Sequence, residues 1–307
     1  MVAIFTALFP VFVLIMLGHV LHRMSFPGPG FWQSAERFTY YVLFPVMLVY
    51  KLGSAHIPTA ELKAAVGLVL AMLASMTLVL LGLQRLVRWP GTVFTSIYQG
   101  AIRFNSFVGL AAIAALMGPA QLSMAAVVMA IMIPLLNVLC ILMLARFASG
   151  TQPRWPDTLR TMASNPLILG SLGGLLVSQA GWTFPVLLVG VLKPLSDLAL
   201  PMGLMTVGAG LQLRAIRHAR RELGVALLLK LLLYPVLTGG LVMLLGVSAD
   251  LGLVAVLISA LPTASSSYIL ARQMGGEATL MAAIISAQTL LAILSLPLVL
   301  YGLGVQY

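Results

Sequence analysis

Polar residues interrupt a long apolar run at Arg103-Phe104-Asn105-Ser106-Phe107-Val108-Gly109, and again at Pro262-Thr263-Ala264-Ser265-Ser266-Ser267-Tyr268. The two segments resemble each other, and an offset of 157 residues aligns Asn105 with Pro262. The same offset aligns Met117-Gly118 with Met274-Gly275, and Met124-Ala125-Ala126 with Met281-Ala282-Ala283. A duplicated, interrupted helix within an apolar bundle is typical of secondary transporters, whose binding site lies where the repeats meet.

The composition indicates an integral membrane protein. Hydrophobic residues make up 61% of the 307 residues and charged residues 8%, which leaves too few polar side chains to cover a soluble domain. Ten apolar runs have about the length, roughly 20 residues, that a helix needs to cross a bilayer. We predict spans 1 to 10 at 2–21, 33–52, 64–85, 92–117, 120–145, 164–180, 185–211, 222–245, 250–271 and 277–303. Span 1 lacks the basic start and cleavage site of a signal peptide, so we expect it to remain as a helix.

The net charge of +10 is distributed asymmetrically. Loops after odd-numbered spans carry arginines, whereas the opposite loops and both termini carry only Lys51 and Lys63. By the positive-inside rule, both termini face the periplasm and the arginine-bearing loops face the cytoplasm. The basic balance therefore reflects topology and contact with anionic lipid, not nucleic-acid binding. These arginines are Arg23, Arg85, Arg88, Arg146, Arg154, Arg160, Arg214, Arg217, Arg220, Arg221 and Arg272.

The repeat extends beyond the interruptions. At an offset of 156 residues, Pro10, Gly18, Pro45 and Leu48 align with Pro166, Gly174, Pro201 and Leu204. Each half contains five spans, an odd number, so the second half enters the membrane in the opposite orientation. We therefore predict an all-α integral membrane fold of two inverted five-helix repeats, 1–146 and 164–307. A cytoplasmic linker at 147–163 joins them.

The depths of the two interruptions agree with this arrangement. Asn105 lies 13 residues after Thr92 at the predicted start of span 4, which corresponds to about 20 Å along a helix. Pro262 lies 12 residues after Asp250 at the start of span 9, or about 18 Å. Entering from opposite faces, both interruptions reach the middle of a roughly 30 Å hydrocarbon core. Spans 4 and 9 are therefore predicted to cross there.

Several short motifs, in their order and spacing, resemble the auxin efflux carrier family of plants and bacteria. They are Arg103-x-Asn105 followed by Gly109-Leu110, Asn165-Pro166, Leu200-Pro201 followed by Gly208-x-x-Leu211, and Leu261-Pro262-Thr263-Ala264. The resemblance covers essentially the whole chain, without the long central cytoplasmic loop of plant members. It implies a fold shared with bile acid:sodium symporters. It also implies a scaffold of spans 1, 2, 6 and 7, a mobile transport domain of spans 3–5 and 8–10, and homodimers through the scaffold.

The interruptions are the predicted substrate site. The second half of each broken helix begins with free N–H groups and a partial positive charge at the midplane, and Asn, Ser and Thr are good N-cap residues there. Two such helix starts suit a small carboxylate. The same side chains could instead pack helices or cap them without touching a ligand. The predicted substrate-binding residues are Arg103, Asn105, Ser106, Pro262, Thr263, Ser265 and Ser266.

Two cations lie at depths where a charge is costly. Arg103 could bind a carboxylate through two parallel hydrogen bonds, or it could hold the carbonyls that end the first half-helix and serve a structural or gating role. Lys230 lies about 12 Å from the cytoplasmic end of span 8 and could act as a countercharge or titrating group for coupling. Snorkelling or a carbonyl partner is the alternative for Lys230.

Acidic residues are scarce within the spans. Asp197 is the acid placed well inside a span, and Lys193 four residues earlier predicts an i,i+4 ion pair. Neither interrupted segment contains a carboxylate. In the sodium symporters that the resemblance brings in, acidic and polar groups at the crossing bind sodium. Because this chain has no such carboxylate there, sodium coupling is not favoured for it.

The sequence therefore predicts a bacterial inner-membrane carrier that exports small organic anions by elevator-like alternating access. Bacterial relatives suggest malonate- or malate-like dicarboxylates, or aromatic carboxylates resembling auxin. The alternatives are a sodium-coupled organic acid symporter and a membrane receptor that binds a ligand without moving it. We predict no enzymatic activity, because no catalytic set of residues occurs, and no cofactor or metal. The expected partners are the organic anion, membrane lipids and a second copy of the chain.

Overall fold

The structure, a computed structural model, describes residues 2–54, 59–149, 164–218 and 221–302. Within these ranges all regular secondary structure is helical. The α-helices are α1 (Val2–Arg23), α2 (Phe31–Phe38), α3 (Phe44–Gly53), α4 (Thr59–Val87), α5 (Gly91–Ile102), α6 (Ser106–Leu116), α7 (Pro119–Leu144), α8 (Pro166–Gln179), α9 (Val186–Ala209), α10 (Arg221–Leu228), α11 (Tyr234–Leu245), α12 (Ala249–Ala260), α13 (Ser266–Gln273) and α14 (Ala278–Gly302). A π-helical turn at Thr39–Leu43 joins α2 to α3, and another at Leu229–Leu233 joins α10 to α11.

The helices explain how the chain occupies a membrane. Seven segments of the described residues are long and apolar enough to cross a bilayer, and α8 and α12 are shorter apolar helices. Helices occur at all ten predicted positions, with ends within about five residues of the predicted ones. That the chain crosses ten times, as two inverted repeats, stays a prediction. The predicted linker lies mainly outside the described residues, as do Arg154, Arg160 and Arg220.

Both predicted helix interruptions are confirmed. The first lies between α5 and α6, and the second between α12 and α13. Leu261 is extended, with φ −67° and ψ 148°, because the ring of the following Pro262 disfavours helical backbone at the preceding residue. Arg103 is likewise extended, with φ −75° and ψ 157°, and Asn105 then begins α6 as its N-cap. Local sequence therefore fixes where each helix stops and restarts.

Glycines bring two pairs of helices into close contact, α1 with α9 and α3 with α8. A Cβ added at Gly18 would lie 2.0 Å from the carbonyl oxygen of Met205. A Cβ added at Gly174 would lie 2.8 Å from the carbonyl oxygen of Leu48 and 3.2 Å from the Cα of Val49. The offset of 156 residues aligns Gly18 with Gly174 and Val49 with Met205. The two halves of the repeat thus supply equivalent close helix contacts, of the kind that small residues permit in membranes.

A single amide connects the elements behind the second interruption. Gln288 on α14 is fully buried, and its Oε1 accepts from the Thr263 N–H at 2.9 Å. Its Nε2 donates to the carbonyl oxygen of Gly100 at 2.9 Å and, at 3.3 Å, to that of Ala226. Gln288 therefore joins α5, α10, α14 and the second interruption in one buried polar cluster, as buried amides require.

Candidate functional site

The two interruptions meet directly. The backbone N–H of Asn105 donates to the carbonyl oxygen of Pro262 at 2.7 Å. The Asn105 side chain caps α6, because its Oδ1 accepts from the N–H groups of Phe107 at 3.0 Å and Val108 at 3.2 Å. The predicted N-cap role of Asn105 is confirmed, and it satisfies donors that the start of a helix leaves free.

Thr263 is directed away from the predicted ligand position. Its side chain is fully buried, and its Oγ1 donates to the Gly100 carbonyl oxygen at 2.7 Å. The residue at the N-cap position of α13 is Ser265, whose side chain makes no capping hydrogen bond. Thr263 thus packs the second interruption against α5, and the hydroxyl of Ser265 makes no bond to the helix that it precedes.

Arg103 bridges two helices from the first interruption. Its Nη1 donates to Oδ1 of Asn137 on α7 at 3.0 Å, and its Nη2 donates to Oγ of Ser266 on α13 at 3.0 Å. Its Nε is buried without a hydrogen-bond partner. Both partners are neutral, and the ion pair found among the described residues joins Lys193 and Asp197 instead. The positive charge of Arg103 is therefore hydrogen-bonded but has no carboxylate beside it.

A cavity of about 550 Å³ lies beside the crossing. Of the predicted substrate-binding residues, Arg103, Asn105, Ser106, Ser265 and Ser266 line it, whereas Pro262 and Thr263 do not. One wall is apolar and includes Phe44 and Phe107, whose rings pack edge to face with centroids 4.6 Å apart. The cavity thus combines one guanidinium, one carboxylate, several neutral polar groups and an aromatic wall, and small-molecule sites commonly pair apolar walls with a few polar groups.

Several polar residues that line the cavity were not predicted as site residues. They are Glu36, Tyr40, Asn137, Asn165 and Gln273. Asp197, eleven residues after the start of α9, remains the acid placed well inside a span, because Glu36 lies five residues after its helix begins at Phe31. An amide within an apolar run was the available signal for Asn137.

Glu36 and Tyr40 lie one helical turn apart at the cavity wall. Tyr40 and Asn165 both line the cavity, and Tyr40 lies within electrostatic reach of Arg103. Asn165 also caps α8, since its Oδ1 accepts from the Leu167 N–H at 3.0 Å. Glu36 is partly buried and makes no salt bridge within the part of the chain that the structure describes. Glu36 thus supplies the carboxylate among the residues that line the cavity, and Arg103 supplies the guanidinium.

The other predicted charges lie away from the cavity. Lys230 is fully buried, and its Nζ has no hydrogen-bond partner. The ammonium lies 4.9 Å from the ring centroid of Tyr234, a distance typical of a cation–π contact. The predicted ion pair of Lys193 with Asp197 is confirmed at 2.8 Å, on an exposed face of α9.

Comparison with known proteins identifies the kind of molecule that carries this cavity. The family model described as "Membrane transport protein" matches residues 3–300. This chain belongs to the auxin efflux carrier family. It is also 29% identical over 315 residues to a protein of Rhizobium meliloti (strain 1021) named "Putative malonate transporter", which covers 95% of this chain and 93% of that protein. The protein is therefore a multi-pass membrane transport protein with a small-molecule substrate, and its family is one of transporters rather than enzymes.

The cavity beside the two interruptions has room for a small solute. It borders both helix interruptions. Non-helical backbone at membrane depth is tolerated only where its polar groups contact protein or a water-filled cavity. Its polar groups come from α2 and the π-turn after it, both interruptions, α6, α7, the start of α8 and α13, so several elements must keep their positions for the site to form.

Proposed function

We propose that this auxin efflux carrier family member is a secondary transporter that exports small organic anions across the bacterial inner membrane. The observation that carries the proposal is the Arg103 guanidinium. It lies at the cavity beside two helix restarts, and its hydrogen-bond partners, Asn137 and Ser266, are both neutral. A carboxylate can displace or share these neutral acceptors and form charge-assisted hydrogen bonds. The positive end of α6 adds to the attraction.

Two substrate classes fit the cavity. Malonate- and malate-like dicarboxylates are supported by the similarity to the Rhizobium meliloti protein, whose name specifies malonate. Auxin-like aromatic carboxylates are supported by the volume of about 550 Å³ and by the aromatic wall that Phe44 and Phe107 form. Both classes present a carboxylate that Arg103 can bind, so the proposed site requires a carboxylate in either class of substrate.

The proposed mechanism is elevator-type alternating access between two inverted repeats, 1–146 and 164–307. The equivalent contacts of Gly18 and Gly174 support the repeat and a rigid scaffold of α1, α2, α3, α8 and α9. The buried bonds of Gln288 support a transport domain that moves as a unit. Phe107 meets the scaffold at Phe44, where the two parts would slide. Homodimers through the scaffold belong to the same proposal.

The proposed orientation places both termini in the periplasm. The cavity is lined by Glu36 near the start of α2, Asn165 at the start of α8 and Gln273 at the end of α13. These helix ends adjoin the arginine-bearing loops that the positive-inside rule places in the cytoplasm. The conformation is therefore proposed to be open to the cytoplasm. An inside-negative potential drives an anion outward by about 2.3 kcal/mol per charge per 100 mV, so export needs no coupling ion.

The test compares carboxylate binding in matched variants of the purified protein. Thermal stabilisation by malonate, malate and an aromatic carboxylate is measured with and without sodium, followed by flux of the best ligand into liposomes. We expect stabilisation in the unaltered protein and in Arg272→Gln, whose side chain is exposed outside the cavity. We expect its loss in Arg103→Gln.

The other possible outcomes would each favour a different function for this protein. Stabilisation that requires sodium would favour the sodium-coupled symporter, and binding without flux would favour a receptor. Equal stabilisation of Arg103→Gln and Arg272→Gln would contradict the assignment of Arg103 to the anion.

A further inference from the structure

Two charged side chains line the cavity, and they have opposite signs. Arg103 projects from the first interruption, and Glu36 belongs to α2. They do not form a salt bridge with each other in the described structure. The remaining polar groups of the lining, among them Asn105, Asn137 and Asn165, are uncharged. With Glu36 ionised, the lining therefore carries no net charge.

We propose that Glu36 is a proton-binding residue linked to substrate binding, and that it takes up one proton when a dicarboxylate occupies the cavity. This inference rests on the proposed function, since it requires an organic anion at Arg103. The proton comes from bulk solvent and adds to a carboxylate oxygen of Glu36, which converts it from an anion to a neutral hydrogen-bond donor.

The reason is the charge of the occupied cavity. A dicarboxylate brings two negative charges, and Arg103 balances one of them. The second lies in the same cavity as the Glu36 carboxylate, and a like charge nearby disfavours the ionised form of a carboxyl group. The neutral amides can donate hydrogen bonds but cannot remove this repulsion. A protonated Glu36 removes it and can donate to the ligand.

A monocarboxylate has a different requirement. Its single charge pairs with Arg103, and Glu36 faces the remainder of the ligand without a second anion nearby. Binding of a monocarboxylate then needs no proton at Glu36. The two substrate classes that fit the cavity are thus distinguished by their linkage to pH.

Among the described residues around Glu36, no other carboxylate lines the cavity and could take up the proton instead. Arg37, its neighbour on α2, is exposed, and Tyr40 is the other titratable group of the lining. The helix packed against α2 is α9, whose charged residues Lys193 and Asp197 pair with each other. The cation that lines the same cavity as Glu36 is Arg103.

The experiment counts protons taken up as malonate binds. Isothermal titration calorimetry in two buffers of different ionisation enthalpy gives the proton number for the unaltered protein and for Glu36→Gln. Titration of malonate itself is common to both proteins, so the difference between them reports Glu36. We expect the unaltered protein to take up about one more proton near pH 7, and its malonate affinity to rise as the pH falls. At pH 8, Glu36→Gln should bind malonate about tenfold more tightly, because the amide resembles the protonated carboxyl.

Two further variants keep the result interpretable. Glu61→Gln removes an acid of α4 that does not line the cavity, and it should match the unaltered protein. Glu36→Asp keeps a carboxyl group and should keep the extra proton uptake, even if Glu36→Gln folds poorly. With a monocarboxylate such as phenylacetate, the proteins with and without Glu36 should take up equal numbers of protons.

The possible failures are distinct. Equal proton uptake and equal malonate affinity in the unaltered protein and Glu36→Gln would overturn the role of Glu36 and leave the anion site standing. If the unaltered protein bound none of the carboxylates, the proposed function would fail first and the inference with it.

Discussion

The backbone N–H of Asn105 donates to the carbonyl oxygen of Pro262 at 2.7 Å, so each helix interruption supplies a hydrogen-bond partner for the other. The reverse bond, which a symmetric repeat would add, cannot form because proline has no N–H. The N–H of the next residue, Thr263, instead bonds to the side chain of Gln288. The backbone groups where the two interruptions meet are therefore bonded within the protein. Arg103 and the start of α6, in contrast, line the cavity.

Substitution of Asn105 should separate its capping role from its place beside the anion. Asn105→Ala loses the acceptor for Phe107 and Val108, so we expect a loss of about 1 kcal/mol in the free energy of unfolding. Asn105→Asp keeps an acceptor at the same position, so it should unfold at nearly the original temperature. Its added negative charge should nevertheless abolish stabilisation by carboxylates. Thermal unfolding with and without malonate measures both effects, and strong malonate binding by Asn105→Asp would place the anion elsewhere.

Thr263 should matter for stability and not for ligand choice. Its Oγ1 donates to the Gly100 carbonyl oxygen, and that oxygen also accepts from Gln288. Thr263→Val removes one of the two donors, at an expected cost of about 1 kcal/mol. Thr263→Ser keeps the hydroxyl and serves as the control. The ranking of carboxylates by thermal shift should be the same in both variants, and a changed ranking would assign Thr263 to the ligand after all.

Lys230 should be dispensable for folding. Its ammonium is fully buried without a hydrogen bond, and an unpaired polar group in an apolar environment is costly. Lys230→Met has a similar volume and no charge, so we expect an increase of about 1–2 kcal/mol in stability. The exposed Lys63→Met is the matched surface control and should change stability little. A lower unfolding temperature for Lys230→Met would reveal a partner that holds the ammonium.

The close contact of α1 with α9 should not tolerate a larger residue. A Cβ at Gly18 would overlap the backbone of Met205 at 2.0 Å, so Gly18→Ala should cost about 2 kcal/mol or more. Gly190→Ala, on α9, meets no atom within 4 Å and should be neutral or stabilise by about 1 kcal/mol. The unfolding temperature should fall in Gly18→Ala and stay unchanged or rise in Gly190→Ala. A neutral Gly18→Ala would mean that α1 can shift away from α9.

The sequence predicted those features that depend on local signals. Pro262 prevents helix at the preceding residue, and Asn105 is an N-cap residue type, so both interruptions could be placed without knowledge of the fold. The Lys193–Asp197 pair likewise follows from spacing on one helix.

Features that depend on distant partners could not be predicted in this way. The hydroxyl of Thr263 suited either a ligand or a helix carbonyl, and the position of Gly100 on another helix decides which it contacts. Gln288 and Asn137 lie in apolar runs where a lone amide has many possible partners. Glu36 lies close to the start of its helix, where an acid is usually solvated, and the cavity beside it arises only from packing.

The buried bonds of Gln288 have a practical consequence for detecting conformational change. One side chain fixes the separation of α5 and α14 through hydrogen bonds of 2.9 Å to Gly100 and to Thr263. Under the proposed elevator mechanism, spin labels or fluorophores on the outer ends of these two helices should therefore report a constant distance in every transport state. That pair supplies an internal reference length, against which a change in the distance from α14 to α9 would measure the proposed domain displacement directly.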